Sequence, residues 1–169
     1  MPLEDILSEE EINEPFLAQY LYLIEHKNVT TPPALTAIPA ANADYVTRTG
    51  TWTLVATKFF KKFQILTENG DAKGTDDGGV QMLGHAEEIT VTVTGVDAPK
   101  IGWFKKNKLK QFYVGISDRS TLQLIMGDPI QGVFISKVER NHGKDRGFKV
   151  TFRYAGAEPT VWAGAFPLA

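Results

Sequence analysis

The stretch from Gly147 to Tyr154, GFKVTFRY, alternates large apolar residues with polar ones, as does ITVTVT at residues 89–94. A period of two places the apolar residues of each stretch on one side and the polar residues on the other. Each stretch is therefore predicted to form a strand with one buried face. Together they favour a mainly β fold.

Further strands are predicted on both sides of these two. Residues 112–116 and 122–126 repeat the alternation around a short polar turn at 118–120, which predicts a hairpin. Strands are also expected at 130–138 and within 51–66. Turn signals about every eight to twelve residues are typical of an antiparallel β-sandwich or a partly closed barrel.

One segment departs from the β pattern. Asp97 can cap a helix in which Pro99 lies in the first turn, where the missing N–H has no intrahelical role. Ile101 and Phe104 are three residues apart and can pack on a sheet, with Leu109 just beyond. We expect one short flanking helix over 98–107.

The N-terminal region is predicted to be a helical arm at residues 1–31. Asn13 would cap the helix, with Pro15 in its first turn. The apolar residues that recur at helical spacing are Phe16, Leu17, Tyr20, Leu21 and Ile24. Such a helix would close the core of its own domain or pack against a neighbouring subunit.

A linker separates this arm from the rest of the chain. Residues 32–44 contain Pro32, Pro33 and Pro39 among small residues, which disfavours both a helix and a central strand. The predicted organisation is an arm at 1–31, a Pro/Ala-rich linker at 32–44 and a β-sandwich domain at 45–169.

Composition excludes several classes of protein. The chain has 169 residues, of which 43% are hydrophobic, which is too rich for intrinsic disorder. It has 18 Lys+Arg against 20 Asp+Glu, a balance that argues against a dedicated nucleic-acid binder. The absence of cysteine excludes disulfides and Cys-ligated metals. Without an apolar run of about 18 residues, and with an acidic start, neither a membrane span nor a secretory signal is expected.

Motifs for enzymatic chemistry are not found. The histidines (His26, His85 and His142) lack metal-ligand spacing and are predicted to be surface residues. The carboxylate pairs Asp76-Asp77 and Glu87-Glu88 are adjacent, so on a strand their members point to opposite faces. No nucleophile elbow, P-loop or dinucleotide fingerprint occurs. We therefore expect no enzymatic activity, no catalytic residue, no cofactor and no metal.

The acidic, glycine-rich stretch at 69–79 invites comparison with a calcium loop. Asn69, Asp71 and Gly74 fit an EF-hand loop, but Lys73 occupies a ligand position and Val80 stands where the bidentate Glu is required. A flexible β-hairpin tip is the better interpretation, because Gly and Asp suit turns.

Two basic groups interrupt the balanced charge. One comprises the five lysines between Lys100 and Lys110, and the other runs from Arg140 to Arg146. Such side chains can contact a phosphate backbone without reading sequence. Solvated loops and salt bridges that face a neighbouring subunit are the favoured interpretation.

From Gly50 onward, the predicted elements follow one another in a definite order. They are carried by the stretches 51–56, 61–66, the glycine-rich tip, 89–93, 97–106, 111–118, 122–129, 132–138 and 147–152. In pattern and order, over roughly residues 45–169, this resembles the tail-tube-like virion structural proteins of tailed bacteriophages.

The resemblance implies a virion structural protein of the tail tube or neck. Such a subunit self-assembles into rings, commonly six-fold, that stack to form a DNA conduit, and a long hairpin reaches the next subunit. The implied partners are other copies, other virion proteins and, through non-specific contact, packaged DNA, with no membrane. The implied location is the phage tail or neck, after assembly in the host cytoplasm. The extra length of residues 1–45 also fits a capsid or adaptor accessory protein.

Contact residues follow from this hypothesis. They are expected in the hairpin at 66–82, in the arm at Phe16, Tyr20 and Leu21, and in the C-terminal tail at Trp162 and Phe166. The alternative from another class is a ligand- or carbohydrate-binding β-sandwich module with Trp52 and Trp103 as stacking platforms. Core packing is the favoured interpretation of both tryptophans.

Overall fold

The computed structural model describes the backbone of residues 20–35, 46–65, 71–79, 82–117, 123–141, 147–156 and 159–169. Side chains are described throughout these ranges except at 71–79, 82–87 and 141. Within this part of the chain the protein is mainly β with one α-helix, which confirms the predicted class.

Strands make up most of the described chain. In chain order they are β1 (Tyr20–Glu25), β2 (Val29–Thr31), β3 (Ala34–Leu35), β4 (Thr47–Thr49), β5 (Thr53–Leu54), β6 (Lys61–Gln64), β7 (Asp71–Gly79), β8 (Met82–Thr94), β9 (Gln111–Ser117), β10 (Gln123–Met126), β11 (Val133–Asn141), β12 (Gly147–Tyr154) and β13 (Thr160–Trp162). The helix is α1 (Ala98–Asn107), and a 3₁₀ turn, His26–Asn28, follows β1.

Eleven of the strands form one sheet in the order β3-β4-β13-β10-β9-β11-β12-β8-β7, with β1 and β6 branching from β9. β9 pairs with β1 on one side, and with β10 and β11 on the other. β2 and β5 form a small second sheet. The pairing of β4 with β13 is parallel, so the sheet is mixed, and the purely antiparallel prediction is wrong there.

The two edges of the main sheet approach each other without closing it. Ile65, directly after β6, forms an isolated antiparallel bridge with Val93 of β8. The described strands therefore form a strongly curved, open sheet.

The predicted N-terminal helix is wrong where the structure describes it. Tyr20–Glu25 is the strand β1, which pairs antiparallel with β9 from Tyr20 opposite Ser117 to Glu25 opposite Phe112. Four consecutive residues, 21–24, are buried, because both faces of β1 are covered. A strand buried on both faces shows no alternation, and its apolar run also fits a helix. The rest of the predicted helix, including Asn13 and Phe16, lies outside the described residues.

Of the predicted linker, the structure describes residues 32–35. Ala34–Leu35 forms the short strand β3, which pairs with β4. Residues 36–45 lie outside the described part of the chain. The boundaries of the predicted arm, linker and domain stay predictions.

The larger of two core clusters lies between β8, β12, β9 and the helix. Val91 faces Val150 across the β8–β12 ladder, and Ile89 faces Phe152. All four side chains are at most 1% exposed, which confirms the faces predicted from the alternation. Burial of such side chains contributes about 1.5–3 kcal/mol each to the free energy of unfolding.

The predicted helix is confirmed over Ala98–Asn107. The carboxylate of Asp97 accepts a hydrogen bond from the backbone N–H of Lys100 at 2.8 Å and caps the first turn. Phe104 is buried against Phe148, with their ring centroids 5.4 Å apart. Leu109 is 92% exposed and takes no part in this packing.

A second core cluster covers the other face of β1, β9 and β10. Trp52 lies at its centre, with its ring centroid 5.0 Å from that of Phe60 and 5.9 Å from that of Trp162. Phe166 stacks on Tyr22 at 4.3 Å. The C-terminal residues therefore complete the core of their own chain.

The predicted hairpin strands at 112–116 and 122–126 are neighbours. β9 and β10 pair antiparallel, with Gln123 opposite Ser117, and the turn between them lies outside the described residues. The strand predicted at 130–138 is found as β11, from Val133.

Candidate assembly surfaces

The hairpin of β7 and β8 extends beyond the rest of the sheet. β12 pairs with β8 from Gly147 opposite Thr94 to Tyr154 opposite Glu87 and ends there. β7 continues to pair with β8 through five further residue pairs, from Thr75 opposite Ala86 to Gly79 opposite Met82. We call residues 75–79 and 82–86 the hairpin overhang. Five residues of strand span roughly 17 Å.

The overhang has one strand at the sheet edge. β7 ends the strand order, so it pairs with β8 alone among the described strands. An edge strand presents backbone N–H and C=O groups that can pair with another chain. The overhang is therefore a surface suited to contact with a second molecule.

The prediction for the glycine-rich stretch needs a correction. Residues 71–79 form a nine-residue strand paired with β8, not the flexible tip that their Gly and Asp content suggested. Residues 66–70 and 80–81 lie outside the described part. An extended backbone over 71–79 differs from the turn of a calcium loop, which agrees with the failed EF-hand alignment.

A basic groove lies where the helix packs on the sheet. Lys105 and Lys108 of α1 and Arg140 of β11 line a shallow cavity of about 180 Å³. Its remaining lining residues are apolar: Ile101, Phe104, Val138 and Phe148. The structure thus brings part of the lysine group at 100–110 to the first residue of the group at 140–146, although about 32 residues of sequence separate Lys108 from Arg140.

The cations of the groove differ from other lysines of the same segment. Lys100 donates to Asp97 and to the backbone carbonyl of Thr94, and Lys110 forms an ion pair with Glu25. Those two are used inside their own subunit. Lys105, Lys108 and Arg140 are exposed, and none has an ion-pair partner within the described residues.

The ion pairs of Glu25 with lysines lower the pKa of its carboxyl group. The hydrogen bond from Lys110 lowers the pKa below its ordinary value, against the opposing effect of desolvation, and Lys27 at 3.1 Å lowers it further. Glu25 is therefore ionised at neutral pH, and it anchors the segment after α1 to β1.

Most of the predicted contact residues are already covered by their own chain. Leu21 is 0% exposed, and Trp162 and Phe166 are buried in the second core cluster. Little of these side chains is left for a second molecule to pack against, since Trp162 is 3% and Phe166 7% exposed, and their role in contacts with a neighbour stays a prediction. Tyr20 is half-buried, and the Nζ atom of Lys62 lies 3.7 Å from the centroid of its ring.

Apolar side chains are exposed on the loop after β5. Val55 and Phe59 are each 42% exposed, and Leu168, whose backbone bridges Phe60, is 44% exposed. Thr57 in this loop has a φ of +65°, in the left-handed region that a β-branched residue rarely adopts. This loop also borders a cavity.

That cavity has a volume of about 420 Å³. Its lining residues include the partly exposed aromatics Trp103 and Phe59 and the amide residues Asn28 and Asn107. Trp103 is half-buried, whereas Trp52 is enclosed in the second core cluster. Of the two predicted stacking platforms, Trp103 lines a cavity, and Trp52 lines none of the cavities described for the ranges of the chain that the structure covers.

A buried polar cluster joins β4 to the loop between β10 and β11. The guanidinium of Arg48 donates to Thr160 Oγ1 at 2.5 Å and to the carbonyls of Gly127 and Pro33. Burial lowers the pKa of Arg48, yet an arginine remains charged at neutral pH. Burial also raises the pKa of Tyr113 to about 12, so its hydroxyl stays neutral.

Asp128 carries the negative charge of this cluster. Desolvation alone would raise its pKa, but hydrogen bonds from Tyr154 at 2.5 Å and from the backbone N–H groups of Gln131 and Ile130 lower it overall. His26 stacks on Tyr113 and hydrogen-bonds the Asp128 carbonyl at 2.8 Å. The cluster fixes a loop in place and opens to no described cavity.

The described residues also bear on the presence of metal sites and membrane-spanning helices. In the described ranges, no group of three or more His, Asp or Glu side chains is arranged to hold a metal ion. No helix within the same ranges is long and apolar enough to cross a membrane. The side chains of His85 and His142 lie outside the described part of the chain.

Comparison with known proteins adds no assignment. No family model matches the chain, and no curated protein and no solved structure matches it either.

Proposed function

We propose that this chain is a structural subunit of a bacteriophage virion, in the tail tube or neck, that self-assembles into rings forming a DNA conduit. The observation that supports the proposal most directly is the hairpin overhang. The resemblance in element order supplies the virion context, with other copies and other virion proteins as partners and assembly in the host cytoplasm. The body is proposed to be a sandwich or partly closed barrel, for which the bridge between Ile65 and Val93 is the supporting contact.

The low stability of isolated hairpins is the reason why the overhang supports the presence of a partner. A two-stranded hairpin is marginally stable in water, and three or more strands or a packed face are needed for independent stability. The overhang contains Gly78 and Gly79, and glycine weakens a strand further. Contact with a second subunit would supply the missing stabilisation.

The body of the subunit has the opposite character. The described members of both core clusters come from parts of the chain outside residues 75–86. We therefore expect the subunit to fold first and to associate afterwards. A catalytic role has no supporting constellation of side chains among the described residues.

The test is assembly of the full chain. The native mass and electron micrographs of the purified protein should reveal oligomeric rings with a central channel. A variant in which Asn-Gly replaces residues 75–86 keeps the register, because it joins the opposed residues Gly74 and Glu87 by a two-residue turn. This variant should stay monomeric, with a free energy of unfolding within about 0.5 kcal/mol of that of the unassembled parent.

The experiment has a matched control variant and a result that would contradict the proposal. Lys106→Ala changes an exposed helix residue outside the groove and should assemble normally. A full chain that stays monomeric at high concentration, with no ring or tube in micrographs, overturns the proposal. Closed rings that never stack would favour a neck or adaptor position, and stacked rings the tube.

The cavity of about 420 Å³ favours a second candidate, a ligand- or carbohydrate-binding module. Aromatic walls beside amide groups suit stacking and hydrogen bonding to a sugar ring. A glycan array tests this candidate. Hits that are lost in Trp103→Ala and kept in Leu109→Ala would support it, and an array without hits would remove it.

A further inference from the structure

The hairpin overhang and the basic groove lie at opposite ends of one strand. β8 begins at Met82 in the overhang, and Val93 near its other end pairs with Phe148, whose side chain lines the groove. Eleven residues of extended chain separate Met82 from Val93, which is roughly 36 Å. The overhang therefore cannot reach the groove of its own subunit.

The two ends carry opposite charge. The overhang contains Asp76 and Asp77 and no lysine or arginine, and the adjoining part of β8 adds Glu87 and Glu88. Among the described residues, the groove is lined by three cations and no carboxylate. Charges of opposite sign on complementary surfaces steer association and fix its register.

The groove and the overhang also both contain apolar residues. Besides its three cations, the groove is lined by Phe104, Phe148, Ile101 and Val138. The overhang contributes Met82 and Leu83 from its sequence. A strand pair with acidic and apolar residues has the chemistry that such a groove would receive.

We propose that the hairpin overhang of one subunit docks into the basic groove of a second copy, which gives a head-to-tail interface. This inference rests on the proposed self-assembly and specifies its contact. Each subunit offers one overhang and one groove, so the interface is heterologous and repeats from copy to copy. Such an interface closes into a ring when the rotation per step allows it, and otherwise extends as a stack or filament.

Charge reversal at each end tests the contact. Asp76→Lys with Asp77→Lys reverses the overhang, and Lys105→Glu with Lys108→Glu reverses the groove. Because like charges would then meet, each double variant should raise the concentration needed for half-assembly by about tenfold or more. Asp71→Lys, at the base of the hairpin, and Lys106→Glu, outside the groove, are matched controls that should leave it within about twofold.

Rescue makes the test specific. A chain that carries all four substitutions restores opposite charges at the interface and should assemble at close to the parent concentration. Mixing the two double variants should also restore assembly, in alternating order. A structural defect caused by either variant would not be corrected in this way.

Three outcomes separate this inference from the proposed function. If the parent chain assembles and charge reversal at either end changes nothing, the docking is wrong while self-assembly stands. If the parent never assembles, both are wrong. If groove reversal leaves assembly intact but removes salt-dependent retention of duplex DNA, the groove binds a phosphate backbone, and the docking is again wrong.

Discussion

The two halves of β8 belong to one continuous strand, yet they lie in different surroundings. From Ile89 to Thr94 the strand pairs with β12, and its apolar side chains lie in the larger core cluster. From Met82 to Ala86 it pairs with β7 alone in the described part of the chain. One half lies between two described strands with its side chains in the core, and for the other half we propose a partner outside the chain.

We expect the inner half of β8 to contribute to folding of the chain and the outer half to contribute to its proposed assembly. The inner half is held by side-chain burial, which does not depend on the concentration of other copies. If the outer half is ordered by association, as proposed, its order should follow protein concentration and salt. Substitutions in the core and in the overhang should therefore differ sharply in their effect on the unassembled subunit.

Phe152→Ala should destabilise the unassembled subunit by about 3–5 kcal/mol, because Phe152 is 0% exposed in the larger core cluster. Urea denaturation below the assembly concentration measures the change. Arg153→Ala, the next residue on β12, removes an exposed side chain and should change stability by about 0.5 kcal/mol or less. Equal effects at the two positions would contradict the assigned faces of β12.

Gly115→Ala should cost about 1–3 kcal/mol through overpacking, since a Cβ atom there would meet the ring of Phe166. The matched control is Gly102→Ala in α1, where a Cβ has no atom within 4 Å. That substitution should stabilise the subunit by up to about 1 kcal/mol, because alanine favours a helix. Thermal unfolding of both variants compares them, and a neutral Gly115→Ala would mean that the C-terminal tail does not cover β9.

Asp128→Asn should reduce the acid sensitivity of the fold by about 1 kcal/mol. The pKa of Asp128 is lowered in the folded state, so its carboxylate stabilises the fold above the ordinary pKa near 4. That contribution is lost as the pH falls from about 4 through the folded pKa. Urea denaturation at pH 7 and at about pH 3 should show a smaller difference for the variant than for the parent, and parallel losses would count against the Tyr154–Asp128 contact.

Leu83→Ala should have the smallest effect on the unassembled subunit, about 0.5 kcal/mol or less, because it lies in the overhang. Ile89→Ala on the same strand should cost about 2–5 kcal/mol. Denaturation of the two variants side by side compares the halves of β8 directly. A large loss at Leu83 would mean that the overhang already packs on its own subunit.

The sequence predicted correctly the strands that have one buried and one exposed face. The alternation at 89–94 and 147–154 and the capping residue Asp97 are local signals, and they located two strands and the helix correctly. β1 was missed because its four consecutive buried residues carry no period of two. The helical spacing of Tyr20, Leu21 and Ile24 was then the only pattern visible.

The other differences between the predicted and the observed structure arise from contacts between residues far apart in sequence. Glycines at 74, 78 and 79 disfavour a strand locally, but pairing with β8 outweighs that preference. The groove joins Lys105 and Lys108 to Arg140 only because α1 packs at the end of β11 and β12. Neither the strand order nor this packing is encoded in a short stretch, so the candidate surfaces could be assembled only from the fold.

The connection between Arg48 and Thr160 has a consequence for how the subunit is made. These residues are 112 positions apart, and the β4–β13 ladder beside them joins equally distant parts of the chain. Contacts of such long sequence separation slow folding. During synthesis the segment around Arg48 has to wait for β13 to leave the ribosome, so we expect this part of the fold to form only after β13 has been made.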